Sequence, residues 1–140
     1  MGASADAVEA GTFRTLSVSA THLGGLHRHG VLELVDGDRQ IVPGVAMIHA
    51  PGESPGHSLI RVIVGGEIAF FTGDLFHFPC EVEHLDWFSP DRDPVLGRRS
   101  RERLLAEAVA RNALVTYSHA PFPAWGRLSR VGSGYRWALL

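Results

Sequence analysis

The sequence predicts an α+β fold, a mixed β-sheet with a helix on one face. Three observations carry that expectation. Short apolar stretches separated by turns rich in Gly and Pro recur from Val31 to Thr72, at the spacing of strands. Residues 58–64 and 68–72, joined through Gly65-Gly66-Glu67 and rich in β-branched and aromatic side chains, form the clearest hairpin. One strongly periodic helix, near Arg101 to Arg111, is followed by a short apolar strand, so a β-α-β crossover is natural there.

Taken in order, residues 1–10 are small and acidic without apolar periodicity and are expected to fray. Residues 12–20 alternate loosely, as a short strand would. The chain is expected to divide into an N-terminal segment, 1–30, partly disordered, and a folded region, 31–140. A strand is predicted at 31–35, and Asp36-Gly37-Asp38 turns the chain. Residues 40–42 resume it, Pro43-Gly44 turns again, and 45–50 is the next strand. Because Ile68-Ala69-Phe70-Phe71 is continuously apolar, that strand is expected to be covered on both faces. Past Asp74 regular structure gives way to 75–90, where His77, His84 and Trp87 stand among acidic residues. Asp93 suits an N-cap with Pro94 at the first helical position, and Ser100 is a second cap candidate. Leu104, Leu105, Ala108 and Val109 then recur on one face, and Arg98, Arg99, Arg101 and Arg103 read as the solvated side. Residues 113–117 make a strand ending in Ser118-His119. Pro121, Pro123, Trp125 and Gly126 form a rigid turn, and 128–131 with 135–140 close the chain as a hairpin.

At 140 residues and 45% hydrophobic content the chain can bury one core. Thirteen basic residues against fifteen acidic ones give no concentrated basic face, so nucleic acid and membrane surfaces are not expected partners. No apolar run approaches the roughly 18 residues of a membrane span. The N-terminus has no signal-peptide pattern and Cys80 stands alone, so a reducing, cytoplasmic setting is expected.

The chemistry gathers at Ala50-Pro51-Gly52-Glu53-Ser54-Pro55-Gly56-His57 and at Phe70-Phe71-Thr72-Gly73-Asp74, which place a histidine and a carboxylate at neighbouring strand ends. From about Val31 to Leu140 the chain resembles the C-terminal half of a metallo-β-lactamase superfamily hydrolase, most like the branch of lactonases and organophosphate or ester hydrolases. The resemblance implies half of an αββα sandwich, in which two sheets pack face to face between outer helices. It also implies zinc, in a site of two-metal ancestry, with His57, Asp74 and His119 as metal ligands and Asp74, the catalytic carboxylate, as the bridge between ions. Glu53 departs from the pattern, since that turn often carries a first histidine there. The upstream HxHxDH cluster is not intact. Laid against it, His22 and His27 match the first and last histidines while Gly24 and Leu26 fall on the middle ligands. The alternative alignment, which is favoured, joins Thr21-His22-Leu23 across a deletion to a helix end at 26–30, leaving His27 and His29 on the surface. Residues 1–30 are then what remains of a truncated first half.

Zinc takes imidazole nitrogen and carboxylate oxygen at roughly 2.0–2.2 Å, and ligands on rigid strand ends can converge to that distance. His57, Asp74 and His119 are expected within about 5 Å of one another for that reason. With Asp74 shared, each ion would have only two protein ligands, whereas a catalytic zinc usually keeps three. Weak metal binding and weak or absent activity are therefore expected of the chain alone. His77 and Trp87 are candidate substrate contacts, with packing of His77 against Phe76 and Phe78 as the alternative. Three functions remain open: a metal-dependent hydrolase of esters or lactones, a non-catalytic remnant that binds a small molecule or a protein, and a fragment of a longer active hydrolase. A homodimer is expected, because a sheet with a helix on one side leaves its other face apolar.

Overall fold

The computed structural model describes residues 20–121 and 124–140, with side chains from Leu23 onward. The expectations for 1–10, for residues 12–19 of the strand expected at 12–20 and for Pro123 fall outside those residues, and Ala20 begins a helix. Two compact units divide between Asp36 and Gly37.

In the N-terminal unit, helix α1 (Ala20–Arg28) ends at Gly30, whose φ of +66° is open to glycine without strain. Gly30 N–H bonds to His27 O at 2.9 Å and Val31 N–H to Leu26 O at 3.1 Å, a Schellman pair that satisfies the last carbonyls. The helix end expected at 26–30 is present. The strand expected at 31–35 is not, and residues 31–36 have no regular structure. Alternation marks a face, but a strand also needs a ladder partner, and none pairs with these residues among those described.

The second unit is a single seven-stranded open sheet in sequence order. Its strands are β1 (Arg39–Val42), β2 (Val45–His49), β3 (Ser58–Val64), β4 (Glu67–Phe71), β5 (Leu114–Thr116), β6 (Gly126–Val131) and β7 (Gly134–Leu139). Every neighbouring pair is antiparallel except β4 and β5, which run parallel across the crossover made by helix α2 (Pro94–Ala110). Asp93 caps α2 by accepting the Val95 and Leu96 amides at 3.0 and 2.9 Å, with Pro94 at the first position. Ser100 lies inside the helix instead of capping it, and its hydroxyl donates to Pro51 O at 2.7 Å.

The core lies between α2 and one sheet face. Ile48, Leu59, Ile68, Phe70, Val115 and Leu128 meet Leu104, Leu105 and Ala108, with Leu75, Phe76 and Val82 closing one end. The registers Met47↔Ile60, Ile60↔Phe71 and Val62↔Ala69 collect those residues on the opposite face. Coverage of β4 on both faces is therefore not observed, because Phe71 is 43% exposed although Trp125 meets it edge-on. The continuous run of apolar residues reflects two different environments, a closed core and an open face.

Arg101 is the larger correction. It is not on a solvated side; it is 2% exposed, whereas the paired Arg98 and Arg103 side chains remain near half exposed. Residue 101 precedes 104, 105 and 108 by three, four and seven positions, which places it on the buried stripe of α2.

One glycine fixes how the turn before β3 sits. Gly52 has φ +131°, and a Cβ there would come within 2.1 Å of Gly97 Cα, so the turn before β3 can press onto α2 only as glycine. Asp93 N–H donating to Gly52 O at 2.9 Å fastens the same contact.

Candidate metal centre

The carboxyl ends of the parallel pair β4 and β5 form one wall of the site. Thr72, fully buried, ties them together, since its amide and its hydroxyl both donate to Thr116 O, at 3.2 and 3.1 Å. Ser118 Oγ donates to Gly73 O at 2.6 Å. A single 3₁₀ turn (Gly73–Leu75) then presents Asp74, while the chain beyond β5 presents His119 beside it. His119 Nε2 lies 3.2 Å from Asp74 Oδ1.

His57 enters from the turn that closes with Ala50 N–H donating to His57 O at 2.8 Å. Its Nδ1 lies 3.0 Å from Ala50 O, and its Nε2 accepts the Asp74 amide at 3.1 Å. A backbone amide only donates and a carbonyl only accepts, so the proton of this ring is on Nδ1 and the Nε2 lone pair faces the start of the Asp74 turn. Gly73 makes room for that contact: its φ is +56°, and a Cβ there would sit 2.8 Å from His57 Nε2.

Among the described residues, the ligand atoms that lie together are those of Asp74, His77 and His119, all within 4.8 Å of one another. His77 packs its ring on His119, with centroids 4.8 Å apart, and not simply between Phe76 and Phe78. His57 meets the group through the Asp74 backbone. Of the two further histidine candidates, His22 lies in α1 with its side chain outside the described residues, and His27 sits in the last turn of α1 in the N-terminal unit.

A cavity of about 430 Å³ opens beside the cluster, lined by Asp74, His77, Glu81, Trp87, Phe88 and Arg92 among others. Trp87, one of its lining residues, stacks on His84 at 3.8 Å and is 56% exposed. Glu53, standing where the resemblance expects a histidine, also lines the cavity and forms an ion pair with Arg92.

Beneath the loop lies a polar knot. Arg101 donates from Nε to Leu75 O at 2.9 Å, from Nη1 to Leu85 O and Trp87 O at 3.2 and 2.9 Å, and from Nη2 to Glu81 Oε2 at 2.6 Å. Its guanidinium lies 4.7 Å from the ring centre of Phe76 and 4.0 Å from that of Phe88. Burial lowers its pKa and Glu81 partly restores it. Tyr117, buried against Phe76 and Trp137, has its phenol pushed far up by burial, so it holds its proton at any pH near neutrality. Neither Glu81 nor Arg101 stands out by motif, but the position of Arg101 on the apolar stripe of α2 is a signal the sequence contains.

No protein-family model and no curated protein sequence matches the chain. Solved structures do. AidC, a dizinc quorum-quenching lactonase in complex with a product, aligns over 86% of this chain and 41% of its own, at 23% identity and TM-score 0.73. The hydrolase AbOPH of the beta lactamase superfamily aligns over 86% and 44%, at 21% identity and TM-score 0.67. An N-acyl homoserine lactone hydrolase, with N-hexanoyl-L-homoserine bound at its catalytic metal centre, aligns over 84% and 49%, at 22% identity and TM-score 0.61. The chain thus spans less than half the length of these neighbours, and its open seven-stranded sheet with one main helix is half of a metallo-β-lactamase fold.

Proposed function

We propose that this chain carries a metal-dependent hydrolytic site for esters or lactones, with Asp74, His77 and His119 holding one zinc ion and His57, whose Nε2 accepts the Asp74 amide, holding the turn that presents Asp74. The observation that supports it is the approach of one carboxylate and two imidazoles to within 4.8 Å beside a cavity of substrate size. The donor set fits the ion, since zinc binds nitrogen and oxygen, and three protein ligands with an open position are the pattern of catalytic sites. His77 thereby revises the expectation of two ligands per ion.

A zinc ion held there would supply Lewis acidity toward an acyl carbonyl and lower the pKa of a water. The residues of the chain do the remainder. Thr72 and Ser118 fix the strand ends, the His57 contact to the Asp74 amide sets the turn, and Trp87 and Phe88 give the cavity an apolar side for an acyl chain. The test is metal content and turnover on one preparation. About one zinc per chain should survive dialysis, and an N-acyl homoserine lactone or a p-nitrophenyl ester should be hydrolysed faster than by the chelator-treated protein. Metal-free protein after equilibration with zinc would sink this reading.

The half-length match favours a second reading, a non-catalytic half-domain that binds a small molecule in the same cavity. Retention of zinc without turnover would support it.

We propose a second copy of the chain as the partner. Met47, Ile60, Val62 and Ala69 are only half-buried on the open sheet face and Phe71 is more exposed, while a net charge of −2 offers little repulsion between copies. Sedimentation at micromolar concentration should give a dimer, and Phe71→Glu should give a monomer. A wild-type monomer would refute the dimer.

A further inference from the structure

Glu81 lies four residues beyond His77, in the 3₁₀ turn Pro79–Glu83. Its Oε2 accepts the His77 amide at 3.4 Å, and its Oε1 is 3.8 Å from His77 Nδ1. Arg101 Nη2 donates to the same carboxylate at 2.6 Å. The Arg101 side chain is 2% exposed and that of Glu81 11%, so Glu81 cannot swing away without leaving a buried cation unpaired. One carboxylate thus joins a fixed guanidinium to an imidazole at the edge of the ligand cluster. The 3.8 Å separation is longer than a hydrogen bond, and the His77 side chain, 34% exposed, is not locked by burial at that distance.

A carboxylate only accepts, so the nitrogen that faces it carries the proton and the other keeps its lone pair. We propose that Glu81, held in place by Arg101, is a positioning residue that puts the His77 proton on Nδ1 and directs the Nε2 lone pair toward Asp74 and His119. The ion in this arrangement rests on the metal-site reading above, whereas the tautomer does not. Partners of this kind behind a metal-bound histidine orient the ring and raise its basicity.

Glu81→Gln separates this role from a structural one. The variant keeps the shape of the side chain and leaves Arg101 an acceptor, so the fold is expected to persist. Its single amide oxygen goes to Arg101, which turns the amide NH₂ toward His77. Nδ1 must then accept, and the proton moves to Nε2. Long-range ¹H–¹⁵N correlation spectra of the zinc-free protein, with the His77 signal assigned by its loss in His77→Gln, should show the Nδ1–H form in the wild type and the Nε2–H form in Glu81→Gln. Zinc affinity, measured by competition with a chromophoric chelator, should fall about 10–100-fold in Glu81→Gln. The same tautomer in both proteins overturns the proposal, and so does an unchanged zinc affinity. If Glu81→Gln does not fold, the wild type decides alone, because an Nε2–H His77 there is incompatible with the proposed role. A wild type that takes up no zinc sinks the metal-site reading instead, and the tautomer comparison still decides the role of Glu81.

Discussion

Arg101→Met is expected to lower the stability of the protein by about 3–5 kcal/mol, the usual consequence of removing one partner from a buried ion pair. Methionine replaces most of the apolar length of arginine, so the packing loss is small. What remains is the Glu81 carboxylate without its cation and the carbonyls of Leu75, Leu85 and Trp87 without the donors they now have from Arg101. Arg101→Lys should recover only part of the difference, since an ammonium is a point charge and cannot reach four acceptors as a planar fork does. The damage should be local before it is global. Residues 75–88 carry His77 and one wall of the cavity, and Arg101 is their common attachment to α2. Denaturant unfolding gives the stability, and hydrogen exchange should show the amides of 75–88 opening in Arg101→Met while those of β2, β3 and β4 stay protected. An Arg101→Met variant within about 1 kcal/mol of the wild type would mean that the knot contributes little net stability.

Local signals made most of the fold readable. The hairpin of β3 and β4 follows from turn chemistry and β-branched runs, and the start of α2 from Asp93 and Pro94, because each needs only neighbours within a few residues. Residues 31–35 show the limit of that approach. Their alternation is as clear as in several true strands, but pairing is a relation between distant segments and a pattern does not contain it.

The site divides in the same way. Asp74 and His119 were legible because strand ends deliver them, and the parallel register Phe71↔Thr116 brings those ends level. The approach of His77 to the cluster was not, because the segment that carries it is held to α2 by Arg101, twenty residues beyond Glu81 along the chain. Arg101 was misassigned by weighing composition over period. A run of four arginines looks solvated as a group, yet one of them falls on the stripe defined by Leu104, Leu105 and Ala108, and periodicity separates it from the rest.

Asp74→Asn is expected to remove zinc binding while leaving the fold in place. Its side chain is 45% exposed and, among the described residues, pairs through Oδ1 with His119 Nε2 at 3.2 Å, so its loss should stay within the roughly 0.5 kcal/mol usual for surface substitutions. The contact that shapes the turn is made by the backbone, from the Asp74 amide to His57 Nε2 at 3.1 Å, and asparagine keeps it. The substitution therefore isolates the carboxylate. Zinc takes carboxylate oxygen with imidazole, and a neutral amide in that position neither offsets the charge of the ion nor competes well with water. Loss of a residue that only orients a ligand weakens binding about 10–100-fold, so loss of the one anionic ligand should exceed about a hundredfold. Chelator competition gives the affinity and thermal denaturation without zinc gives the stability, and the two should move independently. Undiminished zinc binding in Asp74→Asn would remove Asp74 from the site. Zinc binding lost together with a large drop in zinc-free stability would instead show that the carboxylate holds the ends of β4 and β5 together, a structural task the geometry assigns to Thr72 and Ser118.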